Sequence, residues 1–79
     1  MFDQVASVIA DTLHCNRDTI TRETLFVEDL GADSLDMYRL WLALEDAYDA
    51  ELRPAAEDVK LRTVGDLCER LRKILSDSV

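Results

Sequence analysis

Apolar residues return every three or four positions in three separate stretches of the chain, which is the spacing of one face of an α-helix. The first stretch predicts a helix over roughly residues 2–15. Its apolar face comprises Phe2, Val5, Val8, Ile9 and Leu13. We expect this helix to close at Asn16, because asparagine tolerates the left-handed conformation that ends many helices.

The second periodic stretch predicts a helix that begins after Asp33 and ends near Asp49. Asp33 is a good N-cap because its carboxylate can accept a hydrogen bond from the amide of Asp36, and Gly31 permits a sharp entry. Ser34 then falls in the first turn of the helix. The residues predicted to face inward are Met37, Leu40, Trp41, Leu44 and Tyr48.

Residues 16–33, between these two helices, show no regular period and predict a long loop. They contain a short apolar cluster made of Leu25, Phe26, Val27 and Leu30. Structureless connections beyond about 12–15 residues are uncommon in compact domains. We therefore expect this loop to be functional, to be held down by its apolar cluster, or both.

Pro54 predicts a short helix over residues 55–59, since proline suits a first helical position but not the interior of a longer helix. Thr63 followed by Asp66 resembles a capping box and starts the last helix. The apolar face of that helix comprises Val64, Leu67, Cys68, Leu71, Ile74 and Leu75. We therefore predict an all-α fold: residues 1–79 form a single domain, a small four-helix bundle with three longer helices, one short helix and a long loop between the first two.

The charge of the chain limits its partners. Of its 79 residues, 17 are Asp or Glu and 9 are Lys or Arg, which leaves a formal net charge of −8. This charge repels nucleic acid and anionic lipid headgroups, so basic proteins are the expected partners. Cys15, Cys68 and His14 form no metal-binding spacing. Without a signal peptide or a membrane-length apolar run, we expect a cytoplasmic monomer that does not insert into membranes.

The second helix carries an apolar strip in addition to its inward face. Leu35, Tyr38 and Leu42, spaced i, i+3 and i+7, lie roughly 140° from the centre of the inward face. Their alignment beside Ser34 suggests a surface on which partner proteins dock, and we call these three residues the exposed strip. Acidic residues flank it and would steer a basic partner, whereas Arg39 interrupts it. The flanking residues are Asp36, Asp46 and Asp49.

Ser34 does not resemble a catalytic nucleophile. A G-x-S-x-G elbow is absent, and nothing in the sequence places His14, the only imidazole, near this serine. A hydroxyl at a helix start is instead well placed to carry a phosphate, because free amides and the helix dipole favour an anion there. The simpler alternative is that Ser34 only belongs to the helix cap. We predict that the protein is not an enzyme.

The segment FVEDLGADSLD, residues 26–36, resembles the prosthetic-group attachment segment of acyl carrier proteins. The similarity continues through LALEDAYDAEL after the serine and LRTVGDL near the end of the chain. The predicted order of helices also fits this family. The resemblance therefore covers nearly the whole chain.

The resemblance implies that a separate phosphopantetheinyl transferase joins Ser34 through a phosphodiester to 4′-phosphopantetheine, whose terminal thiol carries acyl groups as thioesters. By the same likeness, Asp33 and Leu35 complete the D-S-L motif that the transferase reads. The second helix would be the surface shown to acyl-transferring and acyl-processing enzymes. In this family the core can also loosen to shelter an acyl chain.

Three features depart from the family's pattern. Arg39 stands where fatty acid synthesis carriers usually have an acidic residue, and Trp41 stands where smaller aliphatic residues are common. The junction at Arg53 and Pro54 is one residue longer. We hypothesise that Arg39 marks a specialised partner and that Trp41, together with Tyr48, makes this protein a poor shelter for long straight chains.

The pathway stays open between fatty acid, polyketide and a related specialised synthesis. An aminoacyl or peptidyl carrier protein is an alternative, although the acidic segment ADSLD and the strong net charge favour an acyl carrier. An unmodified interaction module of the same fold is another alternative. It would carry no arm on Ser34.

Overall fold

A computed structural model describes residues 1–77, and in this part of the chain all regular elements are helical. The three α-helices are α1 (Phe2–Leu13), α2 (Ser34–Tyr48) and α3 (Val64–Asp77). A 3-10 turn (Arg17–Thr19) follows α1, and a 3-10 helix (Ala56–Lys60), here called the short helix, precedes α3. The predicted all-α class and element order are confirmed. The fourth helix of the predicted bundle is a 3-10 helix, one residue later than expected.

The end of α1 differs from the prediction. The helix stops at Leu13, and His14 takes the left-handed conformation, with φ 57°, while its amide donates to the carbonyl of Ala10. Asn16 is extended, and its side chain accepts a hydrogen bond of 3.0 Å from the amide of Asp18, which caps the 3-10 turn. Histidine is among the residues that tolerate positive φ, and a capping asparagine requires extended backbone. The predicted end at residue 15 and the predicted role of Asn16 were therefore wrong.

The long loop is held against the helices by Phe26. This side chain is fully buried, its amide donates to the carbonyl of Arg62 at 3.0 Å, and its own carbonyl accepts from Ala32 at 2.9 Å. The neighbouring Val27 points the other way and is 63% exposed. Including Val27 in the anchoring cluster was wrong, because the backbone turns at residues 26–30 and directs the Phe26 ring into the core while leaving Val27 in solvent.

The loop also contacts the first turn of α3. The amide of Val64 donates to the carbonyl of Thr24 at 3.0 Å, and the amide of Gly65 donates to the carbonyl of Arg22 at 2.8 Å. A Cβ atom added to Gly65 would lie 3.1 Å from that carbonyl oxygen. Glycine at this position therefore permits a close approach of loop and helix.

The three α-helices and the loop enclose one apolar core. Its completely buried members are Val5, Ala6, Ile9, Phe26, Leu40, Trp41, Leu44, Val64, Leu67 and Leu71. The predicted inward face of α2 is confirmed, with Tyr48 only half-buried at its end. Asp49, at φ 50°, closes that helix where the sequence predicted. None of the described helices is both long and apolar enough to cross a membrane.

The start of α3 also follows the prediction. The amide of Asp66 donates to Oγ1 of Thr63 at 3.1 Å, and the amide of Thr63 donates to Oδ2 of Asp66 at 3.3 Å. This reciprocal pair is the capping box expected from the spacing. It places the first turn of α3 beside the loop.

Candidate functional site at the start of α2

Ser34 is the first residue of α2, and its side chain is exposed. The cap that precedes it is complete: Oδ1 of Asp33 accepts from the amide of Asp36 at 2.9 Å, and Oδ2 of Asp36 accepts from the amide of Asp33 at 3.2 Å. Gly31, at φ 67°, provides the left-handed turn just before this cap. The predicted N-cap is confirmed. The helix start is therefore held rigidly without any contribution from Ser34.

The hydroxyl of Ser34 makes no hydrogen bond to any other group between residues 1 and 77. Capping is performed by Asp33, so the simpler alternative, in which Ser34 only serves the cap, does not describe its position. The hydroxyl is open to solvent at a helix start, where the first amides have no acceptor within the helix. Such a group can accept a covalent substituent without disturbing the fold.

An apolar cleft of about 390 Å³ opens beside Ser34. We call it the Ser34 cleft, and its walls come from the long loop, the first turn of α2 and the end of the short helix. Its lining residues are Phe26, Val27, Ala32, Asp33, Ser34, Met37, Val59, Lys60 and Leu61. Its volume lies in the range of small-ligand sites. The last three residues were missed by the sequence reasoning, because no local pattern links residues 59–61 to Ser34.

The exposed strip lies on the outer side of α2 as its spacing predicted. Leu35 is 56% exposed, Tyr38 50% and Leu42 47%. Val27 on the loop is also an exposed apolar residue, although the sequence placed it in the apolar cluster that was expected to hold the loop down. Val27 also lines the Ser34 cleft, so it adds apolar surface beside Ser34.

The charged residues around the exposed strip differ in their exposure and in whether another group of the protein already binds them. Asp36 is half-buried and engaged in the cap, whereas Asp46 is exposed. Arg39 is exposed and forms no ion pair with any described residue. Its guanidinium is therefore available to a partner.

A second cluster, in the interior, links α2, the short helix and α3. Nε1 of Trp41 donates to the carbonyl of Asp58 at 2.9 Å. The carboxylate of Asp58 is almost completely buried, and it accepts from Nε of Arg70 at 2.9 Å and from the amide of Ala55 at 2.8 Å. Neither Asp58 nor Arg70 was given a role from the sequence. The sequence carries no signal for these pairs, because the partners lie 17 and 12 positions apart.

Two further polar groups are buried elsewhere in the protein. Tyr48 has a buried hydroxyl with no hydrogen-bond partner in the described chain, and burial, with a smaller contribution from Cys68, raises the pKa of that hydroxyl. Burial also raises the pKa of the Cys68 thiol, while the positive charge of Arg22 acts in the opposite direction. A buried neutral thiol is chemically inert. Within residues 1–77, no group of three or more His, Cys, Asp or Glu side chains is placed to hold a metal ion.

The family described as "Phosphopantetheine attachment site" matches residues 3–71 of this chain. Among its relatives, an "Acyl carrier protein" of Clostridium perfringens is 46% identical over 69 residues, covering 87% of this chain and 90% of the relative. An "Acyl carrier protein" of Wolinella succinogenes is 43% identical over 67 residues, covering 85% and 87%. An "Acyl carrier protein" of Borreliella burgdorferi is 42% identical over 73 residues, covering 92% and 90%.

Proposed function

This chain belongs to the acyl carrier protein family, and we propose that it carries acyl groups on a 4′-phosphopantetheine arm joined to the hydroxyl of Ser34. The arm, when bound, supplies a terminal thiol that holds an acyl group as a thioester. Members of this family are carriers rather than enzymes, so the chemistry belongs to the partner proteins. The observation that carries the proposal is the exposed, unbonded hydroxyl of Ser34 at the start of a helix whose cap is already filled by Asp33.

The residues around Ser34 fit a phosphodiester. An anion attached there would meet the free amides of the first turn and the positive end of the helix dipole, a preference of about 0.3–1 kcal/mol at exposed sites. Lys60 lines the same cleft and brings a positive charge to it. The carboxylates of Asp33 and Asp36 would repel the anion. Each already accepts a hydrogen bond from a backbone amide within the capping box, which offsets part of that repulsion.

The exposed strip supports a second part of the proposal, that α2 is the face presented to partner enzymes. Leu35, Tyr38 and Leu42 would supply the apolar contact, and Asp36 and Asp46 would steer basic partners. Attraction between exposed charges is weakened by salt, so such docking is reversible. A carrier needs this reversibility, because it must leave one enzyme before it meets the next.

The partners follow from this surface. We propose that a phosphopantetheinyl transferase loads the protein and reads Asp33, Ser34 and Leu35. Enzymes that transfer or process acyl groups, in fatty acid, polyketide or a related specialised synthesis, then use the loaded form. The high negative charge disfavours nucleic acid as a partner. We further propose that residues 1–79 act as a single-domain monomer in the reducing environment of the cytoplasm, which suits the free thiols of Cys15 and Cys68.

The decisive experiment is intact-mass measurement after incubation with coenzyme A and a phosphopantetheinyl transferase. We expect one phosphopantetheine adduct on the natural sequence, none on Ser34→Ala, and one on the control Ser7→Ala, which changes another exposed serine. Far-UV circular dichroism should show that Ser34→Ala is folded, because the Ser34 hydroxyl makes no hydrogen bond within the described residues. Failure of several transferases to modify the natural protein would instead favour an unmodified interaction module.

A further inference from the structure

We propose that Trp41, Asp58 and Arg70 form a latch that keeps the short helix against α2 and α3 and thereby excludes long acyl chains from the core of this carrier. The proposal rests on the proposed function, because it concerns the cargo of the arm on Ser34. It goes further by assigning specificity to residues that lie outside both the attachment segment and the exposed strip.

The hydrogen bonds of Asp58 make the latch rigid. Its two carboxylate oxygens accept from Arg70 and from the amide of Ala55, and its carbonyl accepts from the indole of Trp41. Asp58 is only 1% exposed. A buried carboxylate is tolerated when it is paired and hydrogen-bonded, and it becomes strongly unfavourable once a partner is removed. Moving the short helix away from α2 would break the Trp41 bond, and moving it away from α3 would break the Arg70 bond. The Ala55 bond lies within the segment of the short helix and orients the carboxylate of Asp58.

The latch lies directly behind one wall of the Ser34 cleft. Val59, Lys60 and Leu61 follow Asp58 in the chain and line that wall. Met37 lines the opposite wall, on α2. An acyl chain that extended from the cleft into the core would have to push these walls apart, and the bonds of Asp58 oppose that movement.

Trp41 blocks the path that runs inward along α2. It lies one helical turn beyond Met37 on the same face of α2, so a chain that followed α2 inward past Met37 would meet the indole. Trp41 is completely buried, and its polar edge is already bonded to the short helix. Displacing the indole would therefore both disturb the packed core and leave a buried N–H group unpaired. A short acyl group can stay in the open cleft, but a long one has no path inward.

The first test uses the protein without its arm. Amide hydrogen exchange of the short helix should be slow in the natural protein and about tenfold or more faster in Asp58→Asn, since hydrogen bonds to charged groups contribute about 1.5–3 kcal/mol. Arg70→Gln is a second variant, because Arg70 is partly exposed and its replacement disturbs the core less than that of buried Asp58. Glu51→Gln is the matched control: it breaks the exposed Arg53–Glu51 pair, and the exchange rate should not change.

The second test compares butanoyl and dodecanoyl groups on the arm. In the natural protein, hydroxylamine should cleave both thioesters at the same rate, because neither enters the core. In Asp58→Asn or Arg70→Gln, the dodecanoyl thioester should be cleaved several-fold more slowly than the butanoyl one. Trp41 is the only tryptophan, so its fluorescence reports entry of the acyl chain into the core. The emission should be the same for both acyl groups in the natural protein and should differ between them in the variants.

Two results would overturn the proposal. One is that, in the natural protein, hydroxylamine cleaves the dodecanoyl thioester more slowly than the butanoyl one and Trp41 emission changes with chain length. The other is short-helix exchange that is equally slow in Asp58→Asn, Arg70→Gln and the Glu51→Gln control. If no arm can be attached to Ser34, the proposed function fails, and the proposed exclusion of long acyl chains fails with it. Amide exchange in the unmodified protein still decides whether the latch exists.

Discussion

Replacing Phe26 with alanine tests whether one buried side chain holds the long loop that leads to Ser34. Phe26 is completely buried, whereas its neighbour Val27 is 63% exposed. The backbone of Phe26 bonds to Arg62 and Ala32, so its position couples the loop to the start of α3 and to the turn before α2. Removing the ring should therefore loosen the loop as well as weaken the core.

The magnitude follows from the burial of the ring. Aromatic side chains bury about 150–250 Å², which at about 25 cal/mol per Å² is about 4–6 kcal/mol as an upper bound. Phenylalanine-to-alanine changes in protein cores are measured at about 3–5 kcal/mol. We expect a loss of about 3–5 kcal/mol for Phe26→Ala, which is a large part of the about 5–15 kcal/mol that stabilises a typical domain. In a domain of this size, such a loss should lower Tm by more than about 10 °C.

Urea unfolding followed by far-UV circular dichroism measures this loss, and Phe26→Leu supplies an intermediate value if the alanine variant is too unstable to purify. Val27→Ala is the matched control, and it should change the free energy of unfolding by no more than about 0.5 kcal/mol. A loss below about 1 kcal/mol for Phe26→Ala, or one equal to that of Val27→Ala, would refute the assignment of Phe26 as the anchor of the loop.

Four other predictions concern single side chains. Arg39→Glu should increase the rate at which a general fatty acid synthase uses the protein, because it restores an acidic docking face, while Arg72→Glu on α3 should not; an unchanged rate would remove Arg39 as a specificity element. Tyr48→Phe should leave the free energy of unfolding unchanged or raise it by about 1 kcal/mol in urea titrations, since it removes a buried unpaired hydroxyl; a clear loss would count against that assignment. Mass spectrometry of iodoacetamide-treated protein should show Cys15 alkylated before Cys68, whose thiol is buried. Because burial raises the pKa of Cys68, the unfolded chain loses this proton first as pH rises, so stability should fall above the ordinary thiol range, and less steeply in Cys68→Ala.

The local sequence was sufficient for the inward face and start of α2, for the start of α3 and for the place of Ser34 in the first turn of α2. The inward face of α2, the cap at Asp33 and the capping box at Thr63 all depend on residues three or four positions apart, and such spacing is visible in the chain itself. Ser34 follows from the same local order, because the residue after an N-cap begins the first turn. These predictions needed no knowledge of what packs against them.

Tertiary packing decided the direction of side chains in the irregular segments and the pairing of distant groups. In the loop, Phe26 and Val27 are both apolar, and only the position of the core determines which of them is buried. Trp41 meets Asp58 across 17 positions, and Asp58 meets Arg70 across 12. Hydrogen bonds over such separations form only when the helices pack, so no periodic pattern in the sequence predicts them. The position of the Ser34 hydroxyl at a helix start could therefore be predicted from the chain, whereas the cleft beside it and the bonds of Asp58 behind that cleft depend on the fold.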